Sequence, residues 1–289
     1  MALSIFIYIN QTIEGIMKVT VLIDNKKKDE ASPLKAEWGL SLLIEFEGHE
    51  YLLDSGQSEN FALNASALGK SISDIEYGIL SHNHYDHANG IETFFLQNKN
   101  AKFYLREGTK ENTYHKHWIF YEYIGMHKGW LKKYADRFVF ASKDFCVAPN
   151  VYLIPHKTPG LEAKGKAAHL SMKLNHKYSY DNFYYEQSLV FDTEEGLVIF
   201  NSCSHGGADN IVREVGETFK GKKIKAVIGG FHLFCLDDRE VKSFAQRLDN
   251  LEVEKIVTGH CTGDHAFEIL KSVLGDKVKQ MYTGLEMEI

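Results

Sequence analysis

Residues 82–87 read His-Asn-His-Tyr-Asp-His. Three imidazoles and a carboxylate within one turn would be costly to bury without partners. Neutral imidazole and carboxylate are ligands for Zn, Fe or Mn. The i, i+2 spacing lets His82 and His84 grip one ion from an extended turn, with Asp86 and His87 turned toward a second. An ion so held activates water, so the chemistry implied is hydrolysis. The run follows apolar residues 77–80, and four other apolar stretches end in the same way. Residues 197–200 lead to Asn201-Ser202-Cys203-Ser204-His205-Gly206-Gly207. Residues 224–228 lead to Gly229-Gly230-Phe231-His232, residues 256–258 to Gly259-His260-Cys261-Thr262-Gly263, and residues 51–53 to Asp54-Ser55-Gly56. Polar loops at the ends of buried strands are where α/β folds assemble their sites.

The elements that must position these loops are visible as hydrophobic patterns. Strands are expected at 18–23, 41–46, 50–53, 76–80, 102–105, 137–140, 151–154, 188–192, 196–201, 224–229 and 255–258. The second and third form a hairpin through Gly48-His49. Helices are expected at about 58–69, 87–97, 113–134, 208–219, 238–250 and 264–274. A strand-rich beginning and a strand–helix end suggest layered αββα packing, with a doubly wound sheet as the alternative. Residues 106–187 break the rhythm and hold three of the four Pro. They read as an insertion with its own helix, laid over the body as a cap. Its aromatic residues, Tyr114 and Trp118 among them, are expected to pack. Its His115, His117, His127, His169 and His176 are expected to be solvated or packed.

The 289 residues are 44% hydrophobic and 25% charged, which excludes intrinsic disorder. They are expected to form a single domain over 1–289, with residues 1–16 as an extra strand or a start-site extension. The apolar start lacks a basic region and a cleavage site and is too short to span a bilayer. Four scattered cysteines make no disulfide framework, so a reducing, cytoplasmic setting and no membrane partner are expected. The net charge of −6 argues against nucleic acid and leaves a small-molecule substrate as the expected partner. Nothing in the sequence sets the oligomeric state.

The histidine run, with Asp54-Ser55-Gly56 before it and His260 after a late strand, resembles the metallo-β-lactamase superfamily over about residues 20–265. Glu37-Trp38-Gly39-Leu40-Ser41, Cys203-Ser204-His205, Gly229-Gly230-Phe231-His232-Leu233 and His260-Cys261-Thr262-Gly263 are similar to one branch. That branch is labelled as resembling 7,8-dihydropterin-6-yl-methyl-4-(β-D-ribofuranosyl)aminobenzene-5′-phosphate synthase. The resemblance implies an α+β, four-layer αββα sandwich, here with a helical, aromatic insertion. It further implies two metal ions, Zn by default with Fe or Mn as alternatives. His82, His84 and His205 would bind the first, and Asp86, His87 and His260 the second. Asp54 would orient the ligands from behind, and Asp86 and His232 would be catalytic. The implied activity is metal-dependent hydrolysis, by hydroxide at the metals, of a small phosphorylated or pterin-like substrate. A di-iron redox protein and a non-catalytic metal-stabilised sensor are the alternatives. The family's bridging Asp is missing near 200–203, so Cys203 is either its replacement or a buried, inert thiol. Thr262 is read as an anion contact or a turn residue, and Gly39 and Gly56 as turn positions.

Overall fold

The computed structural model describes residues 16–289, so the reading of residues 1–16 falls, but for Ile16, outside them. Two seven-stranded sheets form the body. The first runs Glu286–Glu288, Lys18–Ile23, Ser41–Phe46, His49–Leu53, Tyr77–Ile79, Lys102–Arg106 and Phe138–Ala141. The second runs Val278–Gln280, Lys255–Thr258, Ile224–Gly229, Gly196–Phe200, Gln187–Thr193, Val151–Pro155 and Phe145–Ala148. Each sheet is antiparallel on one side and parallel on the other, and the parallel strands deliver the polar loops.

Strand alternation builds the layers, because successive side chains point to opposite faces. In Ser41–Phe46, Leu42, Ile44 and Phe46 enter the core between the sheets, while Leu43 faces outward. In Gly196–Phe200, Val198 and Phe200 enter that shared core, and Leu197 and Ile199 face the other way. The outer face of the first sheet is covered by helices Asn60–Ala67 and Ile91–Gln97 through Phe61, Ile91 and Phe94. The outer face of the second is covered by Ala208–Thr218, Asp238–Asp249 and Asp264–Leu274. Asp238–Asp249 begins at a capping box between Asp237 and Glu240. The four layers expected from the sequence are therefore present.

The cap differs from the expectation. Residues 113–134 do not form a helix. Thr113–His117 and Phe120–Tyr123 make a hairpin, and only Trp130–Lys133 is helical. The hairpin joins Leu170–Leu174 and Lys177–Tyr180 in a third, antiparallel sheet. Nor are residues 106–187 one excursion, since Phe138–Ala141, Phe145–Ala148 and Val151–Pro155 within them belong to the two main sheets. The aromatic residues pack only in part: Tyr121 stacks on Tyr178 at 3.7 Å and Tyr114 meets Tyr178 edge-on, but Trp118 and Phe120, at the turn of the hairpin, are exposed. Among the described residues no helix is long and apolar enough to cross a membrane.

Candidate metal centre

The centre lies where the parallel strands of both sheets end. From the first sheet, His49–Leu53 delivers Asp54, and Tyr77–Ile79 delivers the loop from Ser81 to His87. From the second come His205 after Gly196–Phe200, His232 after Ile224–Gly229, and His260 after Lys255–Thr258. His82, His84, Asp86, His87, His205 and His260 are all buried. The backbone turns sharply into the site: Asp54, Ser204, His232 and His260 have φ of 58°, 53°, 51° and 47°. That conformation is costly for residues other than glycine and clusters at functional sites.

Four of the imidazoles are held from behind by one nitrogen. Asp54 accepts hydrogen bonds from the Ser81 amide at 2.7 Å, the Ser81 hydroxyl at 2.6 Å and His87 Nδ1 at 2.8 Å. Since the Ser81 proton goes to Asp54, its oxygen accepts from His82 Nδ1 at 2.8 Å. One carboxylate therefore orients two imidazoles, directly and through a hydroxyl. Asp54 lies within donor distance of His82 and His87, but its oxygens are committed to these bonds, which makes it an orienting group. The Tyr185 hydroxyl donates to Asp181 at 2.7 Å and so accepts from His84 Nε2 at 3.2 Å. His260 Nδ1 donates to the Asn25 amide oxygen at 2.9 Å.

The opposite nitrogens are left facing one another. His82 Nε2 lies 3.3 Å from His205 Nε2. His87 Nε2 lies 3.4 Å from an Asp86 carboxylate oxygen, and His260 Nε2 lies 3.5 Å from the same oxygen. The His260 Nε2 is buried with no hydrogen-bond partner in the protein, and such an atom calls for a ligand. His84 packs its ring 4.6 Å from that of His82 and 4.8 Å from that of His205. Cys203 reaches the donor set, although burial pushes its thiol well above the ordinary range. Its Sγ is 3.2 Å from His87 Nε2 and belongs to two donor groups, one with His82 and His205 and one with His87 and His260. Thiolate, imidazole and carboxylate together suit Zn or Fe, so the donor set fits a transition metal.

Electrostatics agree with this arrangement. Burial, reinforced by the neighbouring imidazoles, drives His82 and His205 well below the ordinary histidine range and holds His260 at about 3. Burial dominates at His84 too and brings it to about 4. These rings are neutral and present lone pairs. Burial opposes charge on Asp86, but His87 outweighs it and keeps the carboxyl ionised. For His87 burial is likewise overcome, here by Asp86 and Asp54, which push it up to about 10. The His87 proton thus occupies the position between carboxylates that an incoming cation would take over.

Four supporting residues carried no signal in the sequence: Asn25, Tyr185, Glu186 and His156. Glu186 accepts the backbone amides of His205 at 2.9 Å and Gly206 at 3.0 Å, fixing that loop. His156 donates to Glu186 on one side and, at 3.2 Å, to Glu214 on the other. Of the remaining candidates, Thr262 is a turn residue rather than an anion contact. Its hydroxyl is buried, accepts from the Phe231 amide at 3.0 Å and is 2.5 Å from that of Thr258. Gly39 does more than turn the chain, since a Cβ there would sit 2.5 Å from the carbonyl of Asp86. Gly56, at φ 67°, is the turn position expected.

His232 lies beside the donor set, its ring 4.6 Å from that of His205. It lines a cavity of about 820 Å³ together with His84, Asp86 and His260. The opposite wall is the cap, through His115, His117, Glu122 and Lys128. The metal loop ties the cap down. The Tyr85 amide donates to the Ile124 carbonyl at 2.8 Å, and the Met126 amide donates to the Asn83 side chain at 3.3 Å.

Known proteins agree with this construction. A family model of the metallo-β-lactamase superfamily matches residues 39–169. Tm1679, described as a metal-dependent hydrolase of the β-lactamase superfamily, is 31% identical in sequence. Its crystal structure matches with a TM-score of 0.81, covering 94% of this chain and 99% of that one. The 7,8-dihydropterin-6-methyl-4-(β-D-ribofuranosyl)-aminobenzene-5′-phosphate synthase of Methanocaldococcus jannaschii is 27% identical over 266 residues, 88% of this chain and 90% of that protein. Zn(2+)-bound PqqB from Methylobacterium extorquens shares the fold at 11% identity, with a TM-score of 0.56 over 94% of this chain and 100% of that one. Layered sheets, a histidine run at a strand end and the match to Tm1679 along nearly its whole length lead to one assignment: the chain belongs to the metallo-β-lactamase superfamily.

Proposed function

We propose that the protein is a metal-dependent hydrolase of a small, anionic or flat-ringed substrate, with two ions, zinc by default, in the centre. The observation that carries this reading is the arrangement of nitrogens. His82, His87 and His260 each give one nitrogen to an acceptor in the protein and bring the other into a group of possible metal donors, while His84 is braced by Tyr185 beside them. Orientation from behind is the mark of metal-binding histidines. His82, His84 and His205 would hold one ion, Asp86, His87 and His260 the other, with Cys203 between them in place of a bridging carboxylate. Bound there, a divalent ion supplies Lewis acidity and brings the pKa of its water toward ~7.

The protein's own groups supply the rest. Asp86 stays ionised and accepts a hydrogen bond from the attacking water. His232 has its pKa lowered by burial, so it is neutral and donates an N–H to the oxygen on which charge develops. The cavity of about 820 Å³ suits a small molecule. Tm1679 is called a hydrolase and the M. jannaschii relative a synthase; the water-activating centre favours hydrolysis. Protein purified without added metal should contain a stoichiometric transition metal and turn over a member of an ester, thioester and phosphodiester panel. His82→Ala and Asp86→Ala should each reduce that turnover to background, and full activity in either overturns the reading.

A further inference from the structure

The cap wall of the cavity carries a cation with no counterion. Lys128 lines the cavity, and among the described residues no carboxylate lies within ion-pair distance of its ammonium. Its ammonium rests instead over the rings of Tyr123, at 4.5 Å, and Tyr114, at 5.9 Å. Such aromatic contacts hold a cation in place without neutralising it. Beside it stand His115 and His117, which alternate to the same face of Thr113–His117, with their nitrogens 3.1 Å apart. Glu122, paired with His115 across the hairpin, lines the same wall. Its carboxylate accepts from His117 at 2.8 Å and is engaged along the hairpin. What faces the cavity from the cap is therefore one ammonium without an ion pair, together with two imidazoles, of which His117 already gives its Nε2–H to the Glu122 carboxylate.

We propose that the wall formed by Lys128, His115 and His117 is the recognition end of the cavity, binding an oxyanion of the substrate, a phosphate monoester or a carboxylate, while its scissile group lies at the floor. The inference rests on the proposed hydrolytic reading only for what happens at the floor; the binding itself needs no turnover. Lys and imidazole N–H groups bind phosphate and carboxylate oxygens by charge-assisted hydrogen bonds. Placing them on the cap separates recognition from the metal ligands. The substrate class this implies is a small molecule with an anionic tail at the end remote from the bond that is cleaved.

Isothermal calorimetry on metal-replete protein tests this with three probes of one shape: phenyl phosphate, benzoate and benzyl alcohol. In Lys128→Ala, affinity for the anions should fall about fivefold, as expected for one partly exposed charge. Affinity for benzyl alcohol should hold, and the salt dependence of anion binding should flatten. Lys132→Ala removes the same charge from an exposed position off the cavity and should change nothing. A larger loss for phenyl phosphate identifies a phosphate monoester, and an equal loss for benzoate identifies a carboxylate. The proposal is overturned if wild-type protein binds neither anion, if Lys128→Ala binds both as wild type does, or if Lys132→Ala weakens them equally. Lost anion affinity in a protein that hydrolyses nothing would sink the hydrolytic reading and keep this one; intact affinity in an active enzyme would do the reverse.

Discussion

The two sheets build their halves of the centre in different ways. The first delivers His82, His84, Asp86 and His87 from one loop, with a single buried carboxylate, Asp54, bracing His82 and His87 together and Tyr185 bracing His84. The second delivers Cys203, His205, His232 and His260 from three separate strand ends. Glu186 holds the His205 loop and Asn25 holds His260. The first half is a single grip that stands or falls together. The second is a set of latches with separate braces, although the His232 and His260 loops are joined through Thr262 and Cys261, and loss of one brace should act mainly on its own loop.

Removing Asp54 should therefore have the largest effect. Asp54→Ala frees His82 and His87 together and leaves a buried imidazolium with only one of its two carboxylate partners, Asp86. Metal affinity should drop about 100-fold and stability by about 3 kcal/mol, read by metal titration and denaturant unfolding. An effect confined to one ion would break the contrast between the halves.

Next comes the support beneath His205. Burial opposes charge on His156, but Glu186 and Glu214 push it up to about 9. A raised pKa contributes stability that is complete below the unfolded value of ~6.5 and is lost as pH climbs through about 9. Glu186 and Glu214 are held below their ordinary value against the penalty of burial, so their share is lost toward acid. Wild-type stability should hold near neutrality and fall by on the order of 2 kcal/mol toward pH 9. His156→Gln should flatten that alkaline limb in a pH series of unfolding curves. An unchanged limb would remove His156 as its cause.

Cys203→Ser should weaken binding by about tenfold while both ions remain detectable. Protein loaded with cobalt should lose its near-ultraviolet thiolate charge-transfer band in the same variant. A band that persists would show that the thiol is no ligand. Asn25→Ala should be mildest, costing about 1 kcal/mol of stability and a few-fold in affinity for the ion at His260 alone. If it disturbs both ions equally, the latches are not independent.

This contrast also explains what could be read in advance. The one-loop grip is contiguous in sequence, so its spacing announces it. The latches were visible only as polar residues at strand ends. Their braces were invisible because nothing local marks them: Asn25 meets His260 across 235 positions and Tyr185 meets His84 across 101. The cap hairpin was misread as a helix because its strands are polar on both faces. His115 and His117 line one side and Tyr114 and Lys116 the other, leaving no apolar alternation to betray a period of two. Cys203 sat at the position where a bridging carboxylate was missing, but only folding showed its sulfur shared between both groups of nitrogens.

The placement of the centre across the seam between the sheets has a consequence for assembly. Its donors span residues 82 to 260 and meet only after the shared core has closed. On the proposed metal reading no fragment of the chain would hold ions as the whole does, and loading would be a late event that reports completed folding. Once in place, an ion ligated from both sides would act as a removable cross-link between the halves of the molecule. At a free concentration a thousand times its dissociation constant it would add about 4 kcal/mol to the folded state. Chelation would withdraw that support reversibly, which makes the protein's durability a function of the metal supply around it.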